Sequence, residues 1–127
     1  MKVRELISKR VVSCRDDEPI ECAVIKMHAE NVGSVLVVDS TESLVGIITE
    51  RDVIRLVAQG VDLKMPLKSV MTRRVITAEP DEAVSSAAVK MVENNIRHLP
   101  VVEGGRVVGV VSIRDVMRAL LASAAFP

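Results

Sequence analysis

Two short stretches of this sequence are nearly identical: GIITERDV at 46–53 and GVVSIRDV at 109–116. The similarity extends to the residues before each phrase, because residues 6–39, shifted by 64 positions, match residues 70–103. The identical residues of the first copy are Arg10, Val11, Asp17, Glu18, Ala23, Lys26, Met27, Asn31, Val37 and Val38. After residue 39 the shift falls to 63, so the second copy lacks one residue in the connection that contains Gly104 and Gly105. A repeat that covers the whole chain predicts two copies of one structural unit that bury a common core.

Each copy shows the same order of hydrophobic patterns. Apolar residues at helical spacing predict two helices per copy, and continuous apolar runs predict strands that are covered on both faces. The predicted elements are strand 10–13, helix 18–31, strands 34–38 and 44–48 and helix 50–59, then strand 74–77, helix 82–95, strands 98–102 and 107–111 and helix 113–123. Gly104 and Gly105 suit a tight two-residue turn, and Gly60 suits a helix end.

A copy of about 60 residues buries too little surface to be secure alone. We therefore expect a mixed α/β (α+β) fold. It would contain two βαββα repeats, residues 1–61 and 62–127, that pack through their sheets with pseudo-twofold symmetry as one domain.

Composition excludes several functional classes. Seventeen basic and seventeen acidic side chains cancel, whereas binding to the phosphate backbone of a nucleic acid depends on excess positive charge. The one aromatic residue is Phe126, so the core is aliphatic and a stacking platform for single-stranded nucleic acid is not expected. The sequence has neither an 18-residue apolar run nor a signal segment, so we expect a cytoplasmic protein and no membrane partner.

The reactive residue types form no recognisable catalytic or metal-binding pattern. Cys14 and Cys22 have neither CxxC spacing nor a histidine partner pattern, so we expect no metal site and two reduced, buried thiols. Ser-His-Asp order and a phosphate-binding P-loop are also missing. We therefore expect no catalytic residues, no catalytic cofactor and no enzymatic activity.

The duplicated phrase G-h-h-[ST]-x-x-D, where h is apolar, has a structural and a functional interpretation. Thr49 and Asp52, like Ser112 and Asp115, match a helix capping box, in which hydroxyl and carboxylate bind free backbone N–H groups. The same helix start attracts anions, so the hydroxyl can bind a phosphate. A carboxylate turned outward can accept the two hydroxyls of a ribose. The two interpretations are compatible.

Three features together resemble a tandem pair of CBS domains, the cystathionine β-synthase type of regulatory module. They are the duplicated phrase, the stretch VMTRRVITAEPDEAV at 70–84 and the stretch NNIRHLPVV at 94–102. The resemblance covers nearly the whole chain, as in a stand-alone Bateman-type module. It implies an energy-sensing homodimer that binds AMP, ADP or ATP in clefts between the repeats and regulates a partner protein.

The resemblance also assigns nucleotide-binding residues. One site would use Ser13, Val32, Gly33, Val110, Ser112 and Asp115, with Arg97 and His98 on the phosphates, and the other would use Thr77, Ile96, Ile47, Thr49 and Asp52. The first copy has Gly33 and Ser34 where the second has the cationic pair. We therefore expect unequal sites, with the Ser112/Asp115 site the tighter one. Arg97 as a solvated loop residue and His98 as a strand-edge residue are the structural alternatives.

Two other functions remain open from the sequence. The chain could be a structural or oligomerising protein that has no small-molecule ligand. It could also be an enzyme that uses Asp52 or Asp115 as a base, although neither aspartate has an evident neighbour to tune it.

Overall fold

The computed structural model describes residues 1–8 and 10–123 and divides the chain into two compact units. The central unit contains residues 12–75, and the terminal unit contains residues 1–11 together with the described residues from 76 on. The elements of the central unit are β1 (Ser13–Arg15), α1 (Ile20–Glu30), β2 (Ser34–Val38), β3 (Leu44–Thr49) and α2 (Glu50–Ala58). Those of the terminal unit are α3 (Val84–Asn94), β4 (His98–Glu103), β5 (Arg106–Ser112) and α4 (Ile113–Ser123). The predicted mixed α/β class is confirmed.

The sheet of the central unit has the strand order β1-β2-β3. β1 runs parallel to β2, and β2 pairs antiparallel with β3, placing Ser34 opposite Thr49. The core of this unit is aliphatic, as the composition predicts, and α1 contributes Ile20 and Ala23 to it. The sheet thus places the carboxyl end of β3 beside the start of β2, where the candidate residues lie.

The terminal unit repeats this arrangement with a two-stranded hairpin. β4 and β5 pair from His98 opposite Ser112 to Glu103 opposite Arg106. Gly104 and Gly105 connect them with φ angles of +58° and +79°. This is the tight glycine turn that the sequence predicts, because two consecutive residues with positive φ favour glycine.

The predicted first strand is misplaced in both copies. In the central unit β1 begins at Ser13, where the predicted strand ends, because the buried Cys14 rather than the exposed Val11 pairs with β2. In the terminal unit residues 74–77 form no strand, and a single parallel bridge pairs Ala78 with Val101.

A proline explains why this second pairing stays so short. In the central unit the N–H of Asp16 extends the pairing by donating to the Val38 carbonyl at 2.9 Å. Pro80 occupies the equivalent position of the second copy and has no N–H to donate.

Each unit is completed by a short segment that precedes the other copy in the sequence. The 3-10 turn Leu67–Ser69 packs into the central unit, where the Leu67 N–H donates to the Glu18 carbonyl at 2.8 Å. The equivalent turn Val3–Glu5 packs into the terminal unit, where the Val3 N–H donates to the Glu82 carbonyl at 2.8 Å. Both Leu67 and Val3 are fully buried. We call residues 1–8 and 65–72 the lead-in segments.

The lead-in segments approach the sheets so closely that a glycine is needed in each last strand. A Cβ at Gly109 would lie 2.7 Å from the backbone oxygen of Ser8, and one at Gly46 would lie 2.5 Å from Met71 Sδ. These are the glycines that open the two repeated phrases. Backbone packing therefore explains Gly109, whereas at Gly46 the close contact is with the Met71 side chain.

Residues with positive φ follow three of the helices. Asn31 and Asn95 directly follow α1 and α3 and have φ angles of 53° and 52°, a conformation that asparagine tolerates better than most residues. Gly60, with φ +73°, follows α2 and confirms the predicted helix end. Within the described residues we find no helix that combines the length and apolar character required to cross a bilayer.

Candidate functional site

The structure places the predicted site residues at corresponding positions of the two units. Ser13, Val32, Gly33, Ile47, Thr49 and Asp52 belong to the central unit, and Thr77, Ile96, Arg97, His98, Val110, Ser112 and Asp115 belong to the terminal unit. In each unit one hydroxyl and one carboxylate residue, Thr49 with Asp52 or Ser112 with Asp115, lie where the last strand passes into the last helix. We refer to these two places as the β3–α2 junction and the β5–α4 junction. Ser13 and Thr77 lie at the predicted first strands instead.

The β3–α2 junction is a complete capping box. The Asp52 N–H donates to the Thr49 hydroxyl at 3.3 Å, and Asp52 Oδ2 accepts the Thr49 N–H at 2.9 Å. The second carboxylate oxygen, Oδ1, accepts a hydrogen bond from Arg55 Nη1 at 3.2 Å, and the Asp52 side chain is 16% exposed. The capping interpretation is confirmed here, and both oxygens of Asp52 have partners.

The β5–α4 junction leaves its carboxylate less engaged. The Ser112 hydroxyl accepts the Asp115 N–H at 3.1 Å and donates to Asp115 Oδ2 at 2.9 Å. Arg118 stands where Arg55 stands in the first copy, but in the described part of the chain it does not pair with Asp115. The partly exposed Asp115 carboxylate therefore retains capacity to accept hydrogen bonds.

The loop that precedes each hairpin meets the junction through the backbone. The Ile113 N–H donates to the Arg97 carbonyl at 2.8 Å, and the Glu50 N–H donates to the Gly33 carbonyl at 3.0 Å. His98 lies directly opposite Ser112 in the β4–β5 pairing. The structure thus brings Arg97 and His98 to the same end of the terminal unit as Ser112 and Asp115.

The two junctions differ in charge. The terminal unit presents an exposed Arg97 and a half-buried His98, whereas the central unit has Gly33 and Ser34 at these positions. A guanidinium beside a helix start adds to the partial positive charge of the free N–H groups there. The loop beside the β5–α4 junction therefore carries a cation that the loop beside the β3–α2 junction lacks.

Ser13 and Thr77 have a feature that the sequence interpretation missed. Lys26 donates from Nζ to the Ser13 carbonyl at 2.5 Å, and Lys90 donates from Nζ to the Thr77 carbonyl at 2.8 Å. Both backbone oxygens are therefore already hydrogen-bonded. The signal was present in the sequence, since Lys26 and Lys90 are identical in the aligned copies.

The predicted apolar members flank the polar ones. Val32 and Ile96 follow the helix ends, with N–H groups that donate to Met27 and Met91 carbonyls at 3.1 and 3.0 Å. Ile47 on β3 lies opposite Leu36 on β2, and Val110 on β5 lies opposite Pro100 on β4. All four of these apolar side chains are half-buried, so each retains some exposed apolar surface.

The two cysteines lie side by side, which their spacing does not reveal. Cys14 on β1 and Cys22 on α1 are both free thiols with sulfur atoms 3.4 Å apart. The Cys22 thiol donates to Glu18 Oε2 at 2.7 Å. Cys14 is buried as predicted, but Cys22 is only partly buried. Burial raises the pKa of Cys14, and burial together with the Glu18 carboxylate raises the pKa of Cys22 to about 12.

Comparisons with known proteins agree with this architecture. An uncharacterized 17.7 kDa protein of Acidianus ambivalens is 38% identical over 121 residues, which cover 94% of this chain and 73% of that protein. The chain spans between 44% and 62% of the length of three further curated relatives.

Two similar solved structures contain small molecules. The CBS domain pair of protein MJ0100, in complex with 5-methylthioadenosine and S-adenosyl-L-methionine, has a TM-score of 0.88 at 35% identity and covers 96% of this chain and 97% of its own. CBS domain protein PAE2072 from Pyrobaculum aerophilum, complexed with AMP, has a TM-score of 0.88 at 30% identity, with 97% and 100% covered.

The family model of the CBS domain matches the chain twice, at residues 3–59 and 67–122. Each match begins in a lead-in segment and includes the capping phrase of its copy. The two matches together cover most of the sequence. This chain therefore belongs to the CBS domain family, as a tandem pair of CBS domains.

Proposed function

We propose that this protein is a regulatory module that binds an adenosine nucleotide, AMP, ADP or ATP, and acts on a partner protein. The observation that carries the proposal is the β5–α4 junction. It combines a helix start, a hydroxyl, a carboxylate with remaining acceptor capacity and an exposed arginine, which are Ser112, Asp115 and Arg97.

These groups suit the parts of a nucleotide. The ribose diol can donate to the Asp115 carboxylate, as ribose hydroxyls do to acidic side chains in dinucleotide sites. The phosphate can receive hydrogen bonds from Arg97 and from His98 when that imidazole is protonated. The half-buried Val110 offers apolar surface to the base.

The relatives support adenosine as the common part of the ligand. One similar structure was solved with AMP and another with 5-methylthioadenosine and S-adenosyl-L-methionine. We assign a phosphate-bearing ligand to this chain because Arg97 places a permanent cation beside the junction. S-adenosylmethionine, which carries no phosphate, is therefore the informative competitor.

Regulation without catalysis fits the same geometry. A serine nucleophile needs a general base that removes its proton. The Ser112 hydroxyl instead donates to Asp115 and accepts a backbone N–H, which is the arrangement of a helix cap. We expect incubation with ATP to yield no product, and release of ADP or AMP by the pure protein would contradict the non-catalytic role.

A thermal-shift series tests the proposal. A ligand that binds the folded state stabilises it by about 2.7 kcal/mol at a concentration of one hundred times its Kd. We expect AMP, ADP or ATP to raise the Tm more than S-adenosylmethionine does. Absence of a shift with all four at millimolar concentration would favour a structural or oligomerising protein without a small-molecule ligand.

Arg97→Ala tests the phosphate assignment. We expect the variant to bind AMP about tenfold or more weakly, because a hydrogen bond to a charged group contributes about 1.5–3 kcal/mol. Adenosine should bind with nearly unchanged affinity, and isothermal titration calorimetry measures both. Arg106→Ala, which removes an exposed arginine on β5 of the same unit, is the matched control. Equal weakening of AMP and adenosine would overturn the phosphate role of Arg97.

We also propose that the protein associates as a homodimer through the outer faces of its helices. Large apolar side chains are exposed at equivalent positions of both units: Ile25 and Val89, Ile54 and Met117, and Val57 and Leu120. Exposed apolar patches commonly mark association surfaces, and a repeated pattern suits a symmetric partner. Sedimentation equilibrium should give twice the mass of the chain, and a monomer at high concentration would contradict the proposal.

A further inference from the structure

Three side chains near the start of the central unit converge on one small region. Cys14 lies on β1, Glu18 in the turn that follows, and Cys22 in the first turn of α1. One potential ligand atom from each lies within 4.8 Å of the other two. Within residues 1–8 and 10–123, this is the one group of three His, Cys, Asp or Glu residues with that property.

We infer that Cys14, Glu18 and Cys22 form a binding site for a thiophilic divalent metal ion of the zinc type, with water as the fourth ligand. Zinc binds thiolates at about 2.3 Å and carboxylate oxygens at about 2.0–2.2 Å in tetrahedral geometry. Two thiolates on one such ion stand about 3.8 Å apart. The sulfur atoms are 3.4 Å apart without an ion, so they need to separate by only a few tenths of an ångström.

The charges around the site balance once the metal is bound. The two thiolates and the carboxylate carry three negative charges, and a divalent ion with the Lys26 ammonium carries three positive ones. Lys26 lies close to the site, because its Nζ binds the carbonyl of Ser13, the residue before Cys14. Neutrality matters here because Cys14 is buried and an uncompensated buried charge is strongly destabilising.

The terminal unit shows how the same scaffold is arranged without thiols. Ala78 and Ser86 stand at the positions of the two cysteines, and Glu82 and Lys90 correspond to Glu18 and Lys26. Glu82 accepts hydrogen bonds from Ser86 at 3.0 Å and from Lys90 at 2.8 Å. The fold therefore does not require cysteine at these positions, and its glutamate is held by the lysine when thiols are missing.

A disulfide between the cysteines is the competing use of this pair. It would require the sulfur atoms to close from 3.4 Å to about 2.05 Å. That movement is larger than the few tenths of an ångström that coordination requires. A bound metal ion also deprotonates a coordinating thiol directly. These considerations favour coordination.

Titration of the full chain with Co²⁺ tests the inference, with a phosphine reductant present to keep the thiols reduced. We expect one equivalent of Co²⁺ to produce a sulfur-to-cobalt charge-transfer band and the visible bands of a tetrahedral site, both removed by Zn²⁺. Cys14→Ala and Cys22→Ser each remove one thiolate ligand. Each variant should bind Co²⁺ more weakly, and its charge-transfer band should have half the intensity or be lost. Both substitutions copy the residues of the terminal unit, so the fold accommodates them.

The glutamate provides the matched control. Glu18→Gln should weaken Co²⁺ binding by about tenfold or more, whereas Glu82→Gln, at the equivalent position without thiols, should leave it unchanged. No charge-transfer band in the folded, reduced protein would overturn the inference, as would a band of full strength in Cys22→Ser. If the protein reversibly loses two hydrogen atoms on air oxidation, and the reduced protein shows no cobalt band, the two cysteines form a redox-active disulfide instead of a metal site. None of these readouts depends on nucleotide binding.

Discussion

Replacing Leu67 with alanine is expected to lower the free energy of unfolding by about 2–5 kcal/mol, the range for a leucine truncated in a packed core. Leu67 is fully buried and belongs to the hydrophobic core of the central unit. Its backbone is also fixed, since its N–H donates to the Glu18 carbonyl and its carbonyl accepts the Met71 N–H, both at 2.8 Å. The neighbouring backbone therefore cannot easily collapse into the space that the side chain leaves.

Urea unfolding followed by circular dichroism measures this loss as a shift of the midpoint at unchanged m-value. Met65→Ala is the matched control, because Met65 lies in the same lead-in segment but is 41% exposed. We expect the control to change stability by no more than about 0.5 kcal/mol. A loss below about 1 kcal/mol for Leu67→Ala would show that this lead-in segment is not part of the core of the central unit.

The hairpins and helices could be predicted from the sequence because local patterns specify them. The predicted strand at 34–38 has the bounds of β2, and the predicted helix at 113–123 has those of α4. The first strands could not be placed in this way. Their position is decided by the parallel partner strand, and the short pairing of Ala78 depends on the missing N–H of Pro80.

Local sequence patterns also do not determine which lead-in segment belongs to which compact unit. The two lead-in segments carry the same apolar spacing, with Val3, Leu6 and Ile7 in one and Leu67, Val70 and Met71 in the other. Either segment could therefore complete either unit as far as the sequence shows. The structure places residues 1–11 with the second copy and residues 66–75 with the first. Packing of side chains in three dimensions makes this choice.

Some features of the candidate site follow from local sequence, and others depend on residues that are distant in the sequence. The capping phrase predicts the hydrogen bonds of Thr49 and Asp52, because these groups are three residues apart on one helix turn. The different engagement of the two aspartates could not be predicted, since Arg55 and Arg118 are the same residue at the same position of the repeat. The proximity of Cys14 and Cys22 likewise depends on how β1 and α1 pack.

Asp115→Ala is expected to weaken AMP binding by about tenfold or more while leaving the protein folded. The ribose hydroxyls would lose a charged acceptor that contributes about 1.5–3 kcal/mol per hydrogen bond. The start of α4 should remain capped, because the Ser112 hydroxyl accepts the backbone N–H of residue 115 at 3.1 Å and alanine keeps that N–H. Isothermal titration calorimetry with AMP measures the affinity, and circular dichroism verifies the fold.

Asp52→Ala is the corresponding variant of the central unit. It is expected to affect stability rather than AMP affinity. The Asp52 carboxylate binds the Thr49 N–H and the Arg55 guanidinium, so its loss should reduce stability more than ligand affinity. For a ribose to use Asp52, these hydrogen bonds would have to be replaced, whereas Asp115 can accept a hydroxyl without losing an ion pair. If Asp115→Ala is folded and binds AMP as tightly as the unaltered protein, while Asp52→Ala does not, the tighter site lies at the β3–α2 junction and our assignment is wrong.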